Sequence, residues 1–202
     1  MSRVDSADGA ALRLVAGLGN PGVRFVGTRH NIGFRVVGEL ASRRSTRFER
    51  EECNSLVGAA DGLLVVKPLT FMNRSGYALR CLLERHDIRP TDVLVIYDEV
   101  HLPLGRLRLR RDGEPAGHRG MESIVRNLQT TDVPRLRLGV GPQGGELPSE
   151  EMSDYVLSQF AADEEKLADE MVDRAADAVE VWLDEGLDQA MNLFNRPAAA
   201  SS

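Results

Sequence analysis

His30 stands in Thr28-Arg29-His30-Asn31, just ahead of a helical pattern that begins near Ile32. A histidine among polar neighbours can act as a base near neutral pH, above all where a carboxylate holds one ring nitrogen and fixes the tautomer. Asp98, directly after the apolar run Val93 to Tyr97, is the acid best placed to do so. By spacing alone, His30 fits a helix cap equally well. Asn20 and Asn73 also follow apolar runs. Ligands of open α/β sheets bind beyond the carboxyl ends of the strands, so Asn20, Asn73 and Asp98 are expected to converge. A side-chain amide there can donate to a carbonyl oxygen, although Asn73 also reads as an N-cap. Ser75 makes a Ser-His-Asp triad a formal candidate, but no nucleophile-elbow sequence surrounds it. Water activated by His30 needs fewer assumptions. The loop Gly113 to Gly120, which carries His118 and Arg119, either offers backbone N–H groups to a phosphate or simply connects.

The elements that must position these residues follow from hydrophobic pattern. Leu12 to Ala16, Leu63 to Val66, Val93 to Tyr97 and Leu136 to Val140 read as buried strands. Ile32 to Ser42, Ser75 to His86 and Met121 to Leu128 read as helices between them, which predicts an α/β fold. In Leu104 to Arg110, Leu107 and Leu109 alternate with Arg106, Arg108 and Arg110, placing three arginines on one face of a half-exposed strand. Lys166 to Leu183 reads as a long amphipathic helix with a solvated acidic face. The chain is expected to form one domain over 12–195, with a flexible extension at 1–11 and a flexible tail at 196–202.

Gly17-Leu18-Gly19-Asn20-Pro21-Gly22 matches the dinucleotide fingerprint in letters only, because Pro21-Gly22 makes a turn where a helix should open. No cofactor is expected. The histidines, cysteines and carboxylates show no metal-ligand spacing; His86 and His101 fit surface roles, and Cys53 and Cys81 are expected as free thiols of a reducing compartment. No apolar run is long enough to cross a bilayer and Met1 to Ala10 has no secretory pattern, so a cytoplasmic location is expected. The net charge of −6 hides an asymmetry: Glu150 to Asp188 holds fourteen acids against Lys166 and Arg174, whereas the first 149 residues carry 22 bases against 17 acids. That basic portion, nearly all arginine, suits phosphate contacts.

Taken together, Gly-Leu-Gly-Asn-Pro-Gly at 17–22, Thr-Arg-His-Asn at 28–31, Lys-Pro-Leu-Thr-Phe-Met-Asn-Arg-Ser-Gly at 67–76, Asp98 through Leu-Pro-Leu-Gly at 102–105, Gly-His at 117–118 and Arg-Leu-Arg-Leu-Gly-Val-Gly at 135–141 resemble the bacterial peptidyl-tRNA hydrolases in order and spacing. The resemblance implies a monomeric mixed α/β fold, a twisted central sheet flanked by helices, and a metal-free esterase acting on peptidyl-tRNA. It makes His30 the base and Asp98 its support. Asn20 corresponds to the asparagine that helps tell peptidyl-tRNA from aminoacyl-tRNA, Asn73 to one that positions substrate and water, and Phe71 and Met72 to channel residues. Phe25 stands where a tyrosine is common, and Arg119 where an asparagine usually follows the Gly-His pair. His118 completes the expected substrate-binding set, and Arg106, Arg108, Arg110 and Arg111, with Arg135 and Arg137 as further candidates, are expected to hold tRNA phosphates. A catalytically silent RNA-binding protein on this scaffold is the alternative, and Arg119 is its best support. A general peptidase or esterase would leave the arginines unused.

Overall fold

The apolar runs pair into one sheet because only there do their backbone groups find partners away from water. The structure, a computed structural model, describes residues 11–144 and 147–196. Seven strands, β1 (Arg13–Gly17), β2 (Arg50–Glu52), β3 (Ser55–Ala60), β4 (Leu63–Pro68), β5 (Val93–Pro103), β6 (Leu107–Arg110) and β7 (Arg135–Gly141), lie in the order β2-β3-β4-β1-β5-β7-β6. The centre is parallel, and both edges turn antiparallel through the β3–β4 and β6–β7 pairs. The mixed α/β sheet expected from the sequence is therefore present.

Side-chain alternation sorts the core. Val15, Leu94 and Ile96 face α1 (Ile32–Arg43) and α5 (Glu165–Glu185); Leu14, Ala16, Val93, Val95 and Tyr97 face α2 (Ser75–His86) and α3 (Arg119–Leu128). Close approach of α1 to the sheet depends on glycine. A Cβ on Gly17 would lie 2.1 Å from the carbonyl oxygen of Gly33. The fingerprint glycine thus serves helix–sheet packing, and only a 3-10 turn, Val23–Phe25, follows the strand where a dinucleotide fold would start a helix.

Several expectations need correction. β5 runs on to Pro103, so Asp98 lies within a strand, because the ladder with β7 continues through polar residues. The short strands β2 and β3 and the helices α4 (Met152–Leu157) and α6 (Leu187–Phe194) have no counterpart in the sequence reading. The acidic face of α5 is not merely solvated: Arg35 pairs with Glu165 and Asp169, Arg43 with Asp173 and Asp177, and Arg44 with Glu180. These exposed pairs are each worth up to about 1 kcal/mol. Their larger effect is to balance much of the C-terminal acid behind the sheet. The expected termini fall, except for Ala11 and Arg196, outside the described residues.

Cys53 and Cys81 are joined in a disulfide rather than free, their Cα atoms 5.7 Å apart. The β2–β3 turn sets Cys53 over α2, a tertiary proximity that sequence spacing does not signal. Because the link closes 28 residues, reduction is expected to lower stability by about 3 to 4 kcal/mol, a fall in Tm of roughly 6 to 15 °C. Thermal unfolding with and without a phosphine reductant measures this; superimposable curves would show that the link adds no stability.

Candidate active site

Even-numbered residues of β5 face α1, so Asp98 continues the Leu94–Ile96 row toward the 3-10 turn Arg29–Asn31 that leads into that helix. His30 Nδ1 lies 2.8 and 2.9 Å from the two carboxylate oxygens of Asp98. A second imidazole reaches the same carboxylate: His118 Nε2 lies 3.1 Å from Asp98 Oδ1, while His118 Nδ1 accepts from the Met121 N–H at 3.2 Å as the N-cap of α3. That backbone bond fixes the tautomer of His118, which must donate through Nε2. Asp98 therefore receives an N–H from each ring, and His30 keeps Nε2 as its acceptor on the cleft side. His30 caps no helix; the N-cap of α1 is Asn31, and its side chain makes no capping bond.

Burial opposes ionisation of Asp98, yet the two imidazoles hold its carboxyl well below the usual carboxylate range. For His30, burial lowers basicity, but the charge and hydrogen bond of Asp98 outweigh it, and nearby Arg119 takes back part of the gain. The net result is an imidazole more basic than usual. His30, Asp98 and His118 also place one ligand atom each within 4.8 Å of one another, a cluster that sequence spacing does not reveal. The contacts within it are accounted for as hydrogen bonds that orient the base.

Asn20 is fixed just as tightly. Its backbone N–H donates to Asn31 Oδ1 at 2.8 Å, its carbonyl accepts from Asn31 Nδ2 at 2.9 Å, and its own Oδ1 accepts from the Met72 N–H at 2.9 Å. With Oδ1 occupied, Nδ2 is the group left to donate into the cleft. Asn31, to which the sequence reading gives no role, is what locks this turn; its place beside His30 was the available signal. Asn73 is exposed in the 3-10 turn Met72–Arg74 and caps no helix, so the N-cap alternative fails. Ser75 is fully buried and donates to the Met72 carbonyl at 3.0 Å, which excludes it as a nucleophile.

Asn20, His30, Asn73, Asp98 and His118 line a cleft of about 630 Å³ together with Phe25, Phe71, Met72, Arg119 and, unexpectedly, Arg24 and His101. Met72 is buried, whereas Phe71 is 53% exposed at the rim. One wall comes from α4, through Met152, Ser153, Val156 and Leu157. Arg29, another residue missed in the sequence, anchors the chain beyond that wall. Its buried guanidinium bonds Glu164 at 2.6 Å and lies over the Tyr155 and Phe160 rings. No residue of α5 lines the cleft.

The arginine stripe lies elsewhere. Arg108 and Arg110 are exposed on the edge strand β6, Arg106 is half-buried beside them, and none lines the cleft. Two further arginines are spent internally. Arg135 is buried and donates to the carbonyls of Val133, Gly113 and Thr131, and Arg137 bonds Glu99. Arg111 pairs with Asp188. Arg135 and Arg137 are corrected from phosphate contacts to structural roles, because the buried guanidinium of Arg135 spends its donors on backbone carbonyls and the half-buried one of Arg137 on the Glu99 carboxylate.

No described helix is long and apolar enough to cross a membrane. A family model described as peptidyl-tRNA hydrolase matches residues 14–202. A peptidyl-tRNA hydrolase of Chloroflexus aggregans is 46% identical over 90% of this chain and 98% of its own length. One from Syntrophomonas wolfei is 41% identical over 91% of this chain and its full length. Among solved structures, the Acinetobacter baumannii peptidyl-tRNA hydrolase superposes with a TM-score of 0.83 at 32% identity, covering 91% of this chain and 94% of that one. A peptidyl-tRNA hydrolase complex with N-propanol gives 0.84 at 31%, covering 93% and 97%. With the match spanning the sheet, the His30–Asp98 pair and the cleft, the chain belongs to the peptidyl-tRNA hydrolase family.

Proposed function

We propose that the protein hydrolyses the ester joining a peptide to the terminal ribose of tRNA, releasing both. The observation that carries this reading is the His30 ring, bonded through Nδ1 to buried Asp98 with Nε2 left for the cleft. His30 Nε2 takes a proton from water as the water oxygen bonds to the acyl carbon. The carbonyl–ribose C–O bond then breaks, and the imidazolium returns the proton to the ribose oxygen. Negative charge developing on the carbonyl oxygen is met by Asn20 Nδ2 or the Asn73 amide. Phe25, Phe71 and Met72 give the peptide and the RNA end an apolar surface, while Arg106, Arg108 and Arg110 hold acceptor-stem phosphates. The enzyme acts as a monomer, with one domain over 12–195, in the cytoplasm where charged tRNA is found.

The test uses an N-acetylaminoacyl-tRNA and follows release of free tRNA, with binding of uncharged tRNA titrated in rising salt. Release, together with affinity that falls as salt rises, supports the reading. Binding without release would establish the silent RNA-binding alternative, and a dissociation constant indifferent to salt would count against the arginine stripe.

Asn20→Asp retains an acceptor for the Met72 N–H but turns the free donor into a carboxylate oxygen. It is expected to lower kcat by at least about 10²- to 10³-fold, the loss typical of one oxyanion donor, with little change in KM. Steady-state kinetics check this; a kcat within threefold of wild type would remove Asn20 from the reaction.

A further inference from the structure

We propose that Cys53 and Cys81 form a redox modification site, opened by a dithiol and closed by a small disulfide, whose state sets how firmly the cleft segment 71–73 is held. The inference rests on the hydrolase reading above and concerns the control of that activity.

The link sits where a weak turn meets the cleft segment. Cys53 and Asn54 are the central residues of the turn joining β2 to β3, and both take left-handed backbone angles, φ 51° and 52°. Asparagine tolerates that region, but cysteine does not favour it. β2 itself is only three residues long and lies at the edge of the sheet. The turn therefore depends on what grips it. The Asn54 carbonyl accepts from the Leu69 N–H at 2.7 Å, at the point where the chain leaves β4 for the cleft. Phe71, Met72 and Asn73 follow and line the cleft, and the Met72 N–H holds Asn20 Oδ1 at 2.9 Å. The same stretch runs on into α2, which carries Cys81. Hydrogen bond and disulfide thus close one ring, from the turn across to Leu69, along the cleft segment into α2 and back through sulfur.

Both cysteines are half-buried, within reach of a reductant. In a reducing compartment, disulfides that do form are mostly transient or redox-sensing. A thiolate of the incoming dithiol attacks one sulfur, the Cys53–Cys81 bond breaks, and the departing thiolate takes a proton. The second thiolate of the dithiol then attacks the mixed disulfide, which frees the other cysteine and leaves the dithiol oxidised. Glutathione disulfide reverses the exchange. With the link open, Glu52 still reaches His86 at 3.1 Å and Arg85 at 3.3 Å. Those contacts yield to small displacements where a covalent bond does not, so the turn is loosened rather than released. The arginine stripe is remote from this change, because β2 and β6 are opposite edges of the sheet.

The experiment compares wild type oxidised with glutathione disulfide, wild type reduced with dithiothreitol, Cys53→Ser and Cys81→Ser at about 25 °C, with circular dichroism recorded on each. Reduction is expected to lower kcat/KM for N-acetylphenylalanyl-tRNA by roughly 10-fold, short of the 10²-fold that a misplacement of about 1 Å can cost. The Kd for uncharged tRNA should change less than about twofold. Amide exchange at Leu69 should quicken by about 10-fold on reduction, while β1 and β5 keep their protection. Each serine variant should match reduced wild type and ignore the reductant. Unchanged kinetics and exchange, free thiols that persist in glutathione disulfide, equal losses of kcat/KM and tRNA affinity, or loss of the folded signal on reduction would overturn the proposal. Absence of release from both redox states would instead sink the hydrolase reading, with the thiol count and Leu69 exchange still deciding the link.

Discussion

His30→Ala is expected to lower kcat on N-acetylaminoacyl-tRNA by about 10²- to 10⁴-fold, the usual contribution of a positioned base, while the affinity for uncharged tRNA changes less than about twofold. The alanine variant alone is ambiguous, because it leaves buried Asp98 with one imidazole donor instead of two and so weakens the site's structure. His30→Asn resolves this. An asparagine Nδ2 can occupy the place of the imidazole Nδ1 and donate to Asp98, yet nothing replaces Nε2. If His30 is the base, both variants lose activity alike; if it is structural, the asparagine variant recovers most of the wild-type rate. The wild-type profile adds a second check. Only neutral imidazole can accept the proton, and the pKa of His30 lies above the ordinary 6.5, so kcat/KM should rise with pH through a limb on the alkaline side of that value. In both variants this limb should disappear.

Much of this site was legible because strand alternation and helix periodicity are local. The α2 boundaries Ser75 and His86 agree with those read from the sequence, and the convergence of Asn20, Asn73 and Asp98 at one cleft follows from the parallel centre of the sheet. What escaped depends on partners distant in sequence. Arg135 reads as one more surface cation until its guanidinium is seen to be enclosed by three carbonyls. The acids of α5 look solvated until α1 and its C-cap residue supply Arg35, Arg43 and Arg44 across more than a hundred residues. Polarity misplaced the end of β5, because Asp98, Glu99 and His101 interrupt the apolar run while the ladder with β7 continues. The role of His118 was hidden for a similar reason: a Gly-His pair ahead of a helix suggests substrate contact, whereas its ring caps α3 with one nitrogen and grips Asp98 with the other.

That double grip makes Asp98→Asn a sharper experiment than loss of charge alone. His118 must donate from Nε2, because its Nδ1 accepts from the Met121 N–H, so the new amide turns its oxygen to His118 and its NH2 to His30. His30 Nδ1 must then accept, which puts the ring proton on Nε2, where the lone pair for water should be. The substitution thus changes the tautomer without moving a heavy atom, and kcat is expected to fall by about 10⁴-fold, as when the orienting aspartate of a serine-protease triad becomes asparagine. The residual activity carries its own signature. Without the Asp98 charge, burial and Arg119 both act to lower the basicity of His30, so the acid limb should move below the ordinary histidine value rather than stay above it. A tenfold loss or less with the limb unmoved would mean that Asp98 serves packing alone. A large loss accompanied by a downward limb would place the carboxylate in the role assigned to it, holding one tautomer of one base over the ester.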